Sequence, residues 1–325
     1  MKLRHAVMVG LMGRHADRFH EYHPARTLAE RLEAVHQVPG VDGIEVVFPQ
    51  DFASLEQASQ EIRASGLPVS AINLNVKTEK IWQVGSFTSP DPAVRAKAVA
   101  NLKIAMDLAA EFDAWMVTCC PLIDGHNYAF QADYLQQWGW LEACIAEAAA
   151  YRTDVRVSLE YKRNESRNYC VLGDMGRSLY LCEHLGLPNV GVTMDVGHAL
   201  IANEAPAEVL ALAHLAGRLF YVHLNDNGRD WDWDMIPGSV NFWDLIEMLY
   251  YMDRIGWDGW VSYDVNSRQS APIDTMSATI AVVKAAEQLL ERFDRDQLAS
   301  LIAEGNPAAS FTHLFQSLVR CGQEG

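Results

Sequence analysis

The sequence is short of positive charge. Lys and Arg total 26 against 42 Asp and Glu, a formal charge of -16 over 325 residues. A phosphate backbone or an anionic membrane surface is a poor partner for such a chain, and no basic stripe offsets the deficit. Cysteine is scarce. Cys119, Cys120, Cys144, Cys170, Cys182 and Cys321 form no C-x-x-C pair and mostly sit in apolar runs. Buried free thiols are therefore expected, not disulfides or a zinc site. No apolar run approaches the roughly 20 residues of a membrane span. Near the N-terminus the apolar run from Ala6 to Met12 is about seven residues long, at the bottom of the range for a signal-peptide core. Arg14, His15 and Arg18 follow at once, and no small-residue cleavage site is evident. The run reads as a first strand, and a cytoplasmic protein is expected. No glycine-rich phosphate loop follows that strand, and there is no low-complexity tract or longer repeat.

What is present is alternation. Hydrophobic residues make up 50% and charged residues 21%, enough for a large packed core. Short apolar runs predict strands at Ala6–Leu11, Gly43–Phe48, Val69–Val76, Ala114–Cys119, Val155–Leu159, Val190–Met194, Leu219–Leu224 and Gly259–Tyr263. A segment of helical period follows each. Asp91-Pro92 supplies an N-cap and a first helical residue, and Gly186 with Pro188 closes another helix. Eight strand–helix units in strict alternation predict an α/β fold, a (β/α)8 TIM barrel. A doubly wound open sheet is the alternative, and it would carry the phosphate loop that is missing. Residues 1–293 are expected to form the catalytic barrel. Residues 294–325 are expected to form a C-terminal helical extension, packed on the barrel or on a neighbouring subunit.

In such a barrel ligands bind at the C-terminal ends of the strands. The late strands end in Glu160, in Asp195 with His198 three residues on, in His223, and in Asp264. A lone Asp there is usually a turn or helix cap, and a lone His is usually structural. Four in register on successive strands resist that explanation. The stretch Leu219 to Asn241 adds Asn225, Asp226, Asp230, Asp232 and Asp234, with Trp231 and Trp233 between the acids. So many carboxylates beside an imidazole repel one another unless a cation sits among them. Hard oxygen donors with imidazole select Mg2+, Mn2+ or Co2+. Two divalent ions plus the ammonium of Lys162 would neutralise Glu160, Asp195, Asp232, Asp234 and Asp264. Lys162 lies two residues past Glu160, on the same side of an extended segment.

These motifs resemble those of the xylose isomerase-like TIM-barrel sugar isomerases, which include xylose isomerase, L-rhamnose isomerase and D-apiose isomerase. The resembling residues are Glu160-Tyr161-Lys162 with Asn164-Glu165-x-Arg167, then Asp195-x-x-His198, His223-Leu224-Asn225, Asp232-x-Asp234 and Asp264-x-x-x-Arg268. Gly85-Ser86-Phe87-Thr88-Ser89-x-Asp91-x-x-Val94-Arg95 also looks like the segment before the third barrel helix of that family. The likeness runs from about residue 43 to about residue 293. It implies an aldose–ketose isomerase, an intramolecular oxidoreductase, with two divalent cations (Mn2+ or Mg2+, with Co2+ as a further candidate) and a homo-oligomer, dimer or tetramer. Glu160, Asp195, His223 and Asp264 would hold the first ion. Asp195 would bridge to the second, completed by His198, Asp232 and Asp234. Lys162 would donate to the carbonyl oxygen at C1, Asp234 and His198 would be catalytic beside it, and a water on the second ion would move a proton between O1 and O2. Trp82, Phe87, His126 and Asn127 are expected around the substrate.

Two departures from the family pattern stand out. Where xylose isomerase has a ring-opening histidine after the second strand, this chain has Phe48-Pro49-Gln50-Asp51, which leaves Asp51, Asp234 or a metal-bound water for that role. Position 223 is His where xylose isomerase has a carboxylate, as in L-rhamnose isomerase and the ketose 3-epimerases. A ketose 3-epimerase with a single metal is the first alternative function. Phosphodiesterase action on abasic DNA is disfavoured by the charge. A non-catalytic, metal-stabilised sugar-binding barrel is the alternative from another class. The absence of a clustered Arg/Lys pair at the expected mouth favours an unphosphorylated pentose or hexose, branched sugars such as apiose included. Asp230/Asp232 and Asp232/Asp234 are both acid–x–acid pairs, and the family spacing favours the later one.

Overall fold

Apolar runs of four to six residues become strands here because each is covered on both faces, by the barrel interior and by a helix. A computed structural model describes residues 2–165, 168–266 and 268–321. The expectations for Arg167 and for the Cys321 thiol fall outside the described residues. Eight parallel strands close into a barrel: β1 (Arg4–Met8), β2 (Gly43–Phe48), β3 (Val69–Leu74), β4 (Met116–Cys119), β5 (Arg156–Glu160), β6 (Val190–Asp195), β7 (Leu219–Leu224) and β8 (Trp260–Tyr263). Neighbours in sequence are neighbours in the barrel. β1 closes the ring by pairing with β2 through Ala6 and Gly43 and with β8 through Arg4 and Trp260. β3 and β6 are buried along their whole length.

The outer layer holds α1 (Leu28–His36), α2 (Leu55–Ser65), α3 (Pro92–Glu111), α4 (Tyr134–Tyr151), α5 (Met175–Leu185), α6 (Val196–Ile201), α7 (Pro206–Leu215), α8 (Phe242–Arg254) and α9 (Pro272–Glu291). α1 starts with a capping box between Thr27 and Glu30. Asp91 caps α3 with Pro92 at its first position, as the sequence predicts. α5 stops at Gly186, which adopts the left-handed conformation at φ 60. α10 (Arg295–Glu304) and α11 (Pro307–Cys321) follow the barrel. Leu298 of α10 is buried, and Trp243 of α8 meets Phe311 and Phe315 of α11 edge-on, with ring centroids 5.4 and 5.3 Å apart.

Some details differ from the sequence pattern. β1 ends at Met8, not Leu11, because Val9–Met12 winds into a 3-10 turn. The short helix α6 follows β6 directly and carries His198. Two small sheets cover the mouth side. One pairs residues 15–16 with 21–23, and the other joins 125–126, 164–165 and 168–170.

Candidate metal centre

Glu160 closes β5, Asp195 closes β6, and His223 is the penultimate residue of β7. Strand register brings them together: Asp195 pairs level with His223, and Glu160 pairs level with Thr193, two residues before Asp195. One donor atom from each of the three lies within 4.8 Å of the others, and all three residues are buried. His223 Nδ1 is 3.4 Å from Glu160 Oε1 and 3.7 Å from Asp195 Oδ2. Its other nitrogen, Nε2, lies 3.0 Å from Glu45 Oε2. Glu45 is an interior residue of β2, wholly buried, and also accepts from Asn73 Nδ2 at 3.0 Å and Thr118 Oγ1 at 2.7 Å. In the neutral ring a carboxylate at Nε2 holds the proton there and presents Nδ1 to the acids. Nδ1 has no hydrogen-bond partner.

His198 reaches the same carboxylates from α6. Its Nδ1 lies 3.1 Å from Glu160 Oε1 and 3.8 Å from Asp195 Oδ1, buried and again without a hydrogen-bond partner. Its Nε2 lies 3.3 Å from Asp232 Oδ2. Local chemistry fixes the approach. Asp195 caps α6 by accepting from His198 N at 2.8 Å. Asn225 donates to both Asp195 oxygens, at 3.2 and 3.1 Å, and accepts from Gly197 N at 2.6 Å. Only glycine fits at 197, since a Cβ there would stand 2.7 Å from Asn225 Oδ1.

The loop after β7 is braced by Asp226, which is buried and accepts from Val240 N, Asn241 N and Asn241 Nδ2 at 2.8, 3.0 and 2.6 Å. Beyond that brace, Asp232 Oδ2 meets Lys162 Nζ at 2.7 Å, and Lys162 also pairs with Glu165 at 2.5 Å. Asp234 accepts from Asn266 Nδ2 at 3.0 Å and sits at φ 48, a conformation that Asp tolerates better than most side chains. Asp232 Oδ1 and Asp234 Oδ1 are buried without partners. Asp230 is exposed and accepts from Trp233 Nε1 at 2.9 Å. The later acid pair, not the earlier one, therefore reaches the mouth.

A cavity of about 240 Å3 opens among Glu160, Lys162, His198, Asp232, Asp234 and Asp264. Asp264, just past β8, faces this space but lies outside the tight group of Glu160, Asp195 and His223. Burial alone would raise the Glu160 carboxyl, but His223 and His198 outweigh it and hold it well below the usual range. Burial raises Asp195 to about 6, with the Glu160 and Asp232 charges adding to the rise. Burial and the facing charges of Asp264 and Asp232 push Asp234 well up. Asp264 is raised by burial too, helped by Glu160 and Asp232. Burial would lower both imidazoles, yet Asp195 and Asp232 raise His198, and Glu45 and Glu160 raise His223. Without a cation the cluster therefore borrows positive charge from protons. Four buried orphan atoms and a hard oxygen–imidazole donor set fit a divalent cation of the Mg2+, Mn2+ or Co2+ kind.

Several expected residues lie elsewhere. Trp82 and Phe87 are wholly buried, so neither presents a face to a sugar. Their loop is locked by Asp124, which accepts from Ser86 N at 2.7 Å, Thr88 N at 2.8 Å and both hydroxyls. His126 packs against Tyr134 at 4.8 Å, and Asn127 lines a neighbouring cavity that also includes Glu165. Asp51 faces away from the mouth, paired with Arg31 at 2.5 Å and accepting from Val47 N at 2.7 Å. It offers no group for ring opening. The sequence reading missed Glu45, Lys77 and Cys120, of which the last two line the cavity. A signal existed for two of them. Glu45 is the one charged residue in Gly43–Phe48, and Asn73, Asn75 and Lys77 share the inward phase at the end of β3.

The family model described as xylose isomerase-like TIM barrel matches residues 32–290. The xylose isomerase of Thermus thermophilus is 29% identical over 209 residues, covering 62% of this chain and 54% of that one. The match thus spans about half the length of that relative. Among solved structures, a D-tagatose 3-epimerase-like protein superposes with a TM-score of 0.68 at 18% identity, over 89% of this chain and 98% of that one. L-ribulose 3-epimerase gives 0.66 at 19%, over 93% and 98%. The 3-keto-D-glucoside 4-epimerase of E. coli gives 0.66 at 16%, over 87% and 100%. At these identities the structural likeness is one of fold.

Proposed function

The chain belongs to the xylose isomerase-like TIM-barrel family, and from that premise we propose that it interconverts an aldose and a ketose, an unphosphorylated pentose or hexose, with divalent cations as cofactors. The observation that carries this reading is Lys162. The residue is 7% exposed and lines the cavity, and its ammonium is held by Asp232 at 2.7 Å. A buried ammonium at that point is suited to a developing negative charge on a carbonyl oxygen, which in the aldose–ketose reading is O1.

Glu160, Asp195, His223 and Asp264 would hold one cation, and Asp195, His198, Asp232 and Asp234 a second. When bound, such cations supply Lewis acidity to sugar oxygens and acidify a water. Lys162 donates to the C1 carbonyl oxygen and keeps its proton, because Asp232 and Glu165 raise its pKa. Asp234 Oδ1, unpartnered and on the cavity wall, would take the proton that moves between O2 and O1. His198 Nε2 orients Asp232 from the other side. The hydrogen on C2 then passes to C1 within a cavity that Met8, Val47 and Leu122 line beside the polar groups. Contrary to the sequence expectation, two lysines, Lys77 and Lys162, share the cavity wall, but carboxylates outnumber them, which disfavours a phosphorylated sugar.

The epimerase reading keeps one specific support. The tight donor group of Glu160, Asp195 and His223 is a single site, while Asp232 and Asp234 are engaged by Lys162 and Asn266. Glu160 and Asp264 would then act on opposite faces of C3. The test is a panel of free aldoses and ketoses incubated with the Mn2+-loaded protein and followed by NMR, together with the metal count per chain. Aldose–ketose exchange with two ions supports the proposal. Exchange confined to C3 with one ion supports the epimerase. Bound metal without any turnover supports a sugar-binding barrel.

A further inference from the structure

Two groups of three donors share the mouth. One is Glu160, Asp195 and His223. The other is Cys120, Glu160 and His198, again all buried and with one donor atom from each inside 4.8 Å of the others. Their chemistry differs, because the second contains a thiol. Cys144 and Cys170 use their S–H on the carbonyl oxygens of Phe87, at 3.6 Å, and Leu122, at 3.4 Å. Cys120 Sγ has no such acceptor among the described residues, and it faces the cavity one residue beyond β4. His198 Nδ1 points into the same group with no hydrogen-bond partner and only 4% exposure.

We propose that Cys120, Glu160 and His198 form a mixed sulfur–oxygen–nitrogen site for a thiophilic divalent cation, Zn2+ or Cd2+, and that filling it inhibits the protein. Thiolate with imidazole and one carboxylate is a donor set that zinc accepts with a fourth position left for water. As the metal–sulfur bond forms, the thiol releases its proton to solvent. Inhibition follows from two shared residues. Glu160 is common to both donor groups. His198 Nδ1, the unpartnered nitrogen, is the second: once on the thiophilic ion, with Nε2 keeping the proton it donates to Asp232, it is withdrawn from the second hard-ion site. The inhibitory half rests on the aldose–ketose reading, whereas the binding half does not.

The experiment titrates metal-free protein with Co2+ and watches for a thiolate-to-cobalt charge-transfer band in the near ultraviolet. The band is expected in the natural protein and in Cys170→Ser, and is expected to vanish in Cys120→Ser. Zn2+ binding by Cys120→Ser should weaken by more than ~100-fold, beyond the 10–100-fold of a lost outer-shell partner. Zn2+ inhibition of the Mn2+-loaded protein should ease in parallel. No band in the natural protein, or a band that survives in Cys120→Ser, overturns the site. Should Cys120→Ser fail to fold, 113Cd NMR of the natural protein decides: a resonance shifted downfield by one sulfur ligand upholds the site, and an oxygen–nitrogen shift overturns it. If the protein turns over no sugar, the functional reading fails while the spectroscopic result still stands.

Discussion

The mouth of this barrel holds two sets of acids that differ in how they are carried. Glu160, Asp195 and His223 stand on strands, fixed by barrel register and by Glu45 behind the imidazole. Asp232 and Asp234 stand on a long loop and are held by side-chain partners, Lys162 and Asn266, with Asp234 at a positive φ. The strand-borne set is already gathered within bonding reach of one ion. The loop-borne set is poised around a cavity and not yet gathered. On the proposed function, the rigid positions would supply affinity for the cation, while the loop would supply the groups that change partners during a reaction.

The largest effect should come from breaking the strand-borne set. Glu160→Gln removes the oxygen that faces both imidazoles. Metal affinity should fall by at least ~100-fold and turnover by at least ~10³-fold, read by metal analysis and a sugar assay. Retained metal and activity would mean that the register-built group is not the centre. Next is Lys162→Met, which strikes the loop-borne side. It should lower kcat by ~10²–10³-fold while leaving the metal count unchanged. Loss of metal with Lys162 would make the two sets one unit.

Most of the architecture was legible in the sequence because strand ends announce themselves. All eight strands and the helix after Asp91 fall where apolar runs and caps place them. Glu160, Asp195, His198, His223, Asp232, Asp234 and Asp264 all arrive at one mouth because the first four are strand-end or first-turn residues and the acidic loop follows β7. Less was legible where side-chain direction decides. Trp82 and Phe87 lie on a loop that Asp124 turns inward, which no local pattern reports. Asp51 is drawn off by Arg31, a residue of α1 distant in sequence. Glu45 was hidden by its place inside an apolar strand, where its partner His223 is almost two hundred residues away.

A smaller effect sharpens the comparison from behind the metal. Glu45→Gln keeps the shape but weakens the grip on the His223 proton. Metal affinity should fall ~10–100-fold, with kcat at saturating metal largely restored. Isothermal titration with Mn2+ checks it, and unchanged affinity would reduce Glu45 to a packing role.

The smallest effect concerns pH. Asp195, raised to about 6 by burial, and Asp234 and Asp264, also raised, bind protons more tightly folded than unfolded. His198 and His223 are raised as well, by their carboxylate neighbours against the effect of burial. Every one of these shifts has the same sign. At the mouth these groups bind more protons in the folded metal-free protein than in the unfolded chain. Above about pH 5, where the lowered Glu160 and Asp232 are ionised in both states, they outnumber His5, lowered to about 4 by burial, so stability falls as pH rises through the raised values. Thermal midpoints of metal-free protein across that window should decline, and saturating Mn2+ should remove the decline. A metal-free midpoint that climbs between about pH 5 and pH 7 would contradict the charge reading.

In the proposed function the buried ammonium and the paired acids serve exchange between C1 and C2. The most direct measurement is 1H and 13C NMR of a ketose converted by the Mn2+-loaded protein in D2O. An aldose product is expected, with C3 configuration unchanged and little solvent deuterium at the carbon that receives the hydrogen. A product that differs only in configuration at C3, with deuterium incorporated there, would contradict it.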